Sequence, residues 1–185
     1  MIVIAPKMDH KRISKFLSLV LRHEPGCIGI VLDEQGWTDC EKLIQAAGRH
    51  GMRFNLATLL EVVRTSDKKR LRLSEDGTRI RANQGHSVKV DLGLEPKQPP
   101  EMLYHGTVEK FLEAIRSTGL HKGERHHVHL SPDLKTATKV GERRGKPVIL
   151  TIRAAAMSAA GHPFYLSDNG VWLTDAVPPE FIDFP

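Results

Sequence analysis

Eight residues in the middle of this chain decide how the rest can fold. Gly93-Leu94-Glu95-Pro96-Lys97-Gln98-Pro99-Pro100 holds three prolines and little to bury. Proline fixes φ and lacks a backbone N–H, so no helix or inner strand runs through such a stretch. It reads as a semi-rigid linker. The 185 residues are therefore expected to form two bodies, residues 1–92 and 101–185, each with its own core.

The two bodies differ in charge. Residues 1–92 carry 16 Lys+Arg against 11 Asp+Glu, whereas 93–185 carry 11 of each. The whole excess of +5 thus lies in the first body. A polyanion is a natural partner for it, nucleic acid first, and an unevenly charged solvated surface is the plainer alternative. No apolar run approaches the roughly 20 residues a membrane helix needs. Met1 to Lys7 lacks the pattern of a signal peptide. Cys27 and Cys40 are too few for a disulfide framework. A cytoplasmic setting is expected.

In the first body, Ile13, Phe16, Leu17, Val20 and Leu21 recur at helical spacing. Arg22 and His23 stand at the helix exit, and Pro25 stops it. A guanidinium beside an imidazole there could hold an anion such as phosphate. It could equally be a solvated helix end whose cations offset the macrodipole. Thr38 and Glu41 have the form of a capping box before a second helix. Asn55 is expected to cap a third, carrying Leu56, Leu59, Leu60 and Val63. The period then changes from 3.6 to 2. Leu71 and Leu73 alternate with Arg70, Arg72 and Ser74. Asp76-Gly77 signals a hairpin, and Arg79 to Ala82 returns as the partner strand. Three helices and a basic hairpin predict a winged helix, with Lys68-Lys69-Arg70-Leu71-Arg72 at the mouth of the wing. Asn83-Gln84-Gly85-His86-Ser87 is a compact polar turn, or a loop that positions a sugar-phosphate.

The second body opens on a short strand, Met102-Leu103-Tyr104, and His105-Gly106-Thr107 leads into a helix. That arrangement would put backbone N–H groups and a glycine beside a ligand. A plain strand-to-helix turn capped by Thr107 is the alternative. Four histidines fall between 121 and 129, but no cysteine or suitably spaced carboxylate completes a metal set. Asp133 should cap another short helix, and 147–153 reads as an apolar strand. Tyr165-Leu166, Val171-Trp172-Leu173 and Phe181-Ile182 read as further strands. Together these elements predict a compact α+β lobe. The chain has no P-loop, no GxGxxG and no Ser-His-Asp or Cys-His nucleophile arrangement.

Taken in order, several segments resemble the RNA 2′-phosphotransferase (tRNA 2′-phosphotransferase) family. They are Ser14-Lys15-Phe16-Leu17-Ser18 with Leu21-Arg22-His23, Gly36-Trp37, Ser66-Asp67-Lys68-Lys69-Arg70, Ile80 to Ser87, Leu103 to Thr107, and Gly123 to Ser131. The resemblance runs from Ser14 to about Pro179. It implies an N-terminal winged-helix RNA lobe and a C-terminal ADP-ribosyltransferase-like lobe that binds NAD. It implies an NAD-dependent enzyme of RNA processing and tRNA splicing that transfers an internal RNA 2′-phosphate to NAD. The implied route passes through ADP-ribosylated RNA and yields 2′-OH RNA, ADP-ribose 1″,2″-cyclic phosphate and nicotinamide, without a metal. It assigns catalysis to Arg22, His23, Arg70 and Arg125, and the NAD site to His105, Gly106 and Thr107 with His129 and Ser131 in support. RNA contacts are expected from Lys68, Lys69, Arg81, Asn83, Gln84 and His86, and a monomer is expected. Stable ADP-ribosylation of a terminal phosphate or a protein, and RNA binding without catalysis, are the competing functions.

Overall fold

The computed structural model describes residues 10–66 and 68–185. The Met1 to Lys7 segment and Asp67 lie outside the described residues. The chain divides into two compact units, the first ending at Gly93 and the second running from Leu94 to Pro185. Both mix helix and sheet, so the fold is α+β.

The first unit starts with α1 (His10–Val20). Its periodic residues Ile13, Leu17 and Val20, with Leu21 just beyond, are fully buried. They meet Leu43 and Ala46 of α2 (Cys40–Arg49) and Leu59 and Val62 of α3 (Leu56–Arg64). Asn55 caps α3 through the Thr58 N–H at 2.9 Å. The cap of α2 is one residue later than expected: Asp39, not Thr38, accepts from the Lys42 N–H at 2.8 Å. The reason is tertiary. Thr38 is taken up by β1 (Thr38–Asp39), where it pairs with Ile80 of β3 (Arg79–Ala82). β3 also pairs with β2 (Leu71–Leu73), giving an antiparallel sheet in the order β1-β3-β2. The hairpin between β2 and β3 turns at Gly77, whose φ of +71° suits glycine. Asp76 fastens that turn by accepting from Ser74 and Thr78 hydroxyls and the Thr78 N–H. These bonds hold its carboxyl down to about 2.

The second unit is built on β4 (Leu103–Val108), which pairs along its length with β7 (Pro147–Ile152). β11 (Ile182–Asp183) extends that sheet beyond β7. A second sheet has the order β6-β9-β8, from β6 (Val128–Leu130), β9 (Trp172–Thr174) and β8 (Tyr165–Leu166). Paired backbone bonds between Tyr104 and Ser131, 2.9 and 2.8 Å, link β4 to the end of β6. β5 (Leu120–His121) and β10 (Ala176–Val177) form a small separate ladder. The helices are α4 (Leu112–Thr118), α5 (Leu134–Gly141), capped by Asp133 as expected, and α6 (Ala154–Ala159). Leu103, Leu130, Leu150, Ile152, Met157 and Phe164 fill the core.

Two expectations for this half change. The proline stretch, expected as a semi-rigid linker, is pinned to the second unit along part of its length. Pro96 bridges Tyr165, the Lys97 N–H donates to the Phe164 carbonyl at 2.7 Å, and Pro99 is buried. Nor does a helix begin at Thr107. His105, Gly106 and Thr107 are all inside β4, and a 3₁₀ turn follows only at Glu109–Phe111.

Candidate active-site residues

In the first unit, the exit of α1 is tied to a segment far along the chain. The helix ladder loosens after Leu21: the Arg22 and His23 N–H groups both reach back to the Leu19 carbonyl. The Arg22 carbonyl accepts from the Ser87 and Val88 N–H groups at 2.9 and 3.3 Å. His23 Nδ1 lies 2.9 Å from Ser87 Oγ. Arg22 Nη2 donates to the Arg70 carbonyl at 3.4 Å. That carbonyl also accepts from the Asn83 N–H at 2.9 Å. Arg22, His23 and the backbone of Arg70 therefore converge on the Asn83 to Ser87 loop, and the bland helix end of the sequence is an anchored junction.

Asn83 secures the strand entry as well. Its Nδ2 donates to the Lys69 carbonyl at 2.6 Å. Lys69 has a φ of +39°, the one positive φ at a residue other than glycine among the described residues. Lys68 and Lys69 are exposed and Gln84 is half-buried. Arg81, Asn83 and His86 are different. They are 8%, 5% and 1% exposed. Expected as RNA contacts, these three lie inside the unit. The Asn83 bonds shape the loop from within, and His86 packs under Gly36, where an added Cβ would lie 3.4 Å from its Nε2.

In the second unit, His105 and His129 are joined through the backbone. His105 Nδ1 donates to the His129 carbonyl at 3.1 Å, which leaves its Nε2 as the acceptor. Burial pushes the His105 pKa down; the carbonyl bond opposes this, and Arg144 and Arg125 add to it. The ring is thus a neutral base near pH 7. Arg125 Nη1 donates to His129 Nδ1 at 2.8 Å. A guanidinium cannot accept, so this geometry needs the His129 proton on Nε2. Partial burial, then Arg144 and Arg143, draw the Arg125 pKa below the usual guanidinium value. Even so, an arginine keeps its proton at neutral pH. Ser131 is placed by its backbone pair with Tyr104. The His127 ring lies 5.4 Å from Tyr165, and burial lowers its pKa too.

Gly106 also makes room for a neighbouring helix. A Cβ there would sit 1.9 Å from the Ala137 carbonyl oxygen and 2.8 Å from the Gly141 nitrogen. The missing side chain is what lets α5 lie against β4. Thr107 is buried beside it. Among the described residues, no three His, Cys, Asp or Glu side chains come together as a metal site. No described helix is long and apolar enough to cross a membrane.

A model of the RNA 2′-phosphotransferase, Tpt1 / KptA family matches residues 8–176. The chain belongs to that family. It is similar to the probable RNA 2′-phosphotransferase of Hahella chejuensis, 57% identical over 169 residues that cover 91% of each chain. The protein of the same name from Rhodopirellula baltica is 59% identical over 173 residues, 93% of this chain and 94% of the other. That from Agrobacterium fabrum is 60% identical over 165 residues, 89% of each.

RNA 2′-phosphotransferase membership covers both units, so the Arg22 junction and the His105 to Arg125 chain both belong to matched sequence. Three residues in these networks carried no site assignment from the sequence. Ser87 holds the His23 ring, and Arg143 and Arg144 place two more cations near Arg125. Ser87 ends the polar loop and could have been found there. Arg143 and Arg144 lie in the short turn after α5, where no sequence motif marks them.

Proposed function

We propose that this chain is an NAD-dependent enzyme that removes an internal RNA 2′-phosphate by transferring it to NAD. The first unit acts as a winged-helix RNA lobe and the second as an ADP-ribosyltransferase-like lobe. What carries the reading is the convergence of Arg22, His23 and Arg70 on one loop, in a chain whose relatives are named for this activity.

The chemistry needs a phosphate dianion held against water and supported as charge shifts at phosphorus. Arg22, Arg70 and Arg125 supply charge without changing protonation. His23 is the member of the set that can pass a proton near neutral pH, and Ser87 orients its ring. The residues of the second unit fit NAD on their own chemistry. His105 is an uncharged half-buried ring with an acceptor nitrogen, and Arg125, Arg143 and Arg144 form a cationic group suited to a pyrophosphate. NAD, when bound, supplies the carbon that accepts the phosphate and loses nicotinamide. The residues of this chain bind, orient and steady charge around that exchange. His105 and His129 would fix the ribose side, with Ser131 beside them. The chain works as a monomer in the cytoplasm.

The test is incubation with NAD and an oligonucleotide bearing one internal 2′-phosphate, followed by product analysis. The expected products are 2′-OH RNA, nicotinamide and ADP-ribose cyclic phosphate, with no added metal. A stable ADP-ribosylated RNA as the end product would move the assignment to ADP-ribosyl transfer. RNA binding indifferent to NAD, with no turnover by folded protein, would reject the enzyme altogether.

A further inference from the structure

The second unit is neutral as a whole, but its charge is sorted. Residues 134–146 hold 5 Lys+Arg against 1 Asp+Glu, which leaves the rest of the unit with 6 against 10. The segment is α5 with the 3₁₀ turn that follows it, Glu142–Arg144. Ala137 and Gly141 form the inner face of α5, pressed against β4 at Gly106 and Thr107. Lys135, Lys139 and Arg143 recur at every fourth residue, and all three are exposed. They make a row about 12 Å long.

Elsewhere in the unit, cations find local partners. Lys122 lies 3.8 Å from Asp175, Arg153 lies 3.4 Å from Asp183, and Arg116 stands over the Phe184 ring. The row is built differently. Asp133 is near Lys135, but its carboxylate is taken up by the Thr136 N–H and hydroxyl in capping the helix. Glu142 falls between Lys139 and Arg143 in sequence. Among the described residues, no ion pair within 4 Å joins it to any cation of the row. Like charges at i, i+4 weaken a helix, and Lys135 in the first turn opposes the macrodipole. Helix stability therefore does not account for the spacing. A line of exposed like charges on one rigid face suits a polyanion.

The row also has a direction. Arg143 and Arg144 lie close enough to Arg125 to act on its charge. Arg144 shares the Phe111 ring with Lys110, at 5.7 and 5.0 Å from its centre. The row thus leads from the open helix to the cations proposed above for NAD and the 2′-phosphate. NAD has a single pyrophosphate, which Arg125, Arg143 and Arg144 already serve. Lys135 and Lys139 continue up to about 12 Å beyond Arg143. An RNA strand carries a phosphate at every nucleotide and can follow the whole row.

We infer that the outer face of α5 docks the RNA strand flanking the 2′-phosphate, with Lys135 and Lys139 each meeting a backbone phosphate. The inference rests on RNA being the substrate. It gives the second unit an RNA surface of its own, whereas the sequence had placed RNA contacts in the first unit.

Fluorescence anisotropy of the full chain without NAD tests it, using single-stranded RNA with one internal 2′-phosphate and several nucleotides on either side. Each contact to a single-strand phosphate adds about 0.7 to the slope of log affinity against log salt. Lys135→Gln/Lys139→Gln should therefore lower the slope by about 1.4 and weaken binding ~10-fold or more at low salt. Glutamine matches lysine in helix propensity, so α5 still forms. Lys135→Arg/Lys139→Arg keeps the charge and should keep the slope. NAD-dependent turnover of a 2′-phosphorylated dinucleotide, too short to follow the row, should be unchanged in both variants. An unchanged slope in the glutamine variant overturns the inference. So does an equal loss of dinucleotide turnover, which would mean that the lysines serve the NAD site or the fold. Lysine-dependent RNA binding by a parent chain that shows no turnover would sink the proposed activity and leave the surface standing; turnover with a slope indifferent to the lysines would do the reverse.

Discussion

His23 and Ser87 lie 64 residues apart in sequence and meet at 2.9 Å between Nδ1 and Oγ. The contact forms because the Ser87 N–H is already fixed to the Arg22 carbonyl. The backbone bond sets the distance, and the hydroxyl sets the ring. Ser87→Ala keeps the first and loses the second. An exposed neutral hydrogen bond is worth about 1 kcal/mol, so a ~3–10-fold loss of phosphotransfer is expected with little change in stability. Ser87→Thr should recover much of it. Turnover of 2′-phosphorylated RNA, read beside a melting curve, decides the matter; full activity in Ser87→Ala removes Ser87 from the mechanism.

Asn83 and Lys69 form a coupled pair. The amide donates to the carbonyl of a residue held in the left-handed region. Asn83→Ala exposes a buried loop to an unmet acceptor and should destabilise the first unit by ~1–3 kcal/mol. Lys69→Gly should be near neutral, because about 1 kcal/mol of left-handed strain relieved offsets a similar backbone-entropy cost. In the glycine background the chain no longer resists that conformation, so Asn83→Ala should cost less there. The two tryptophans fall one in each unit. Urea unfolding followed by Trp37 emission in a Trp172→Phe background therefore measures the cycle for the first unit. Strictly additive effects would show that Asn83 does not support Lys69.

Gly106→Ala tests why α5 can lie on β4. The new methyl would meet backbone, the Ala137 carbonyl oxygen at 1.9 Å, rather than a side chain able to turn away. Either α5 moves or β4 bends, at an expected cost of ~3 kcal/mol or more to the second unit. Trp172 emission in a Trp37→Phe background should report a lowered urea midpoint for the second unit. An unchanged midpoint in Gly106→Ala would mean that the contact is slack and that the glycine serves the ligand after all.

What could be read from the sequence was what short-range periodicity and capping control. The buried stripe Ile13, Leu17, Val20 and Leu21, the Asn55 and Asp133 caps and the Asp76-Gly77 turn follow from residues within a few positions of one another. Where a distant partner decides, local reading erred. Thr38 has the chemistry of a cap, but Ile80 claims it for the sheet and the role passes to Asp39. Gly106 was recognised as a place of close approach, and α5 is one group that approaches it, about which spacing says nothing. Asn83 and His86 are polar loop residues by composition, and only the fold shows them buried. The site residues were named through resemblance. The bonds that orient them, His23 to Ser87 and His129 to Arg125, needed coordinates.

The pH dependence of the second unit should follow His105. Burial lowers its pKa in the folded chain, whereas in the unfolded chain it returns to about 6.5. The unfolded state therefore binds the proton first as pH falls. The stability tied to the neutral ring is fully present above about pH 6.5 and is lost as pH drops toward the lower folded value. His127 shifts in the same direction and adds to the trend. His105→Gln removes one titration while its amide can still donate to the His129 carbonyl. Urea midpoints of the second unit, taken from about pH 8 down to about pH 5, should fall steeply for the parent chain and less steeply for the variant. The remaining slope belongs in part to His127, so adding His127→Gln should flatten it further. If the His105→Gln profile runs parallel to the parent's, His105 is not held neutral by its surroundings, and its assignment as an uncharged acceptor toward NAD goes with it.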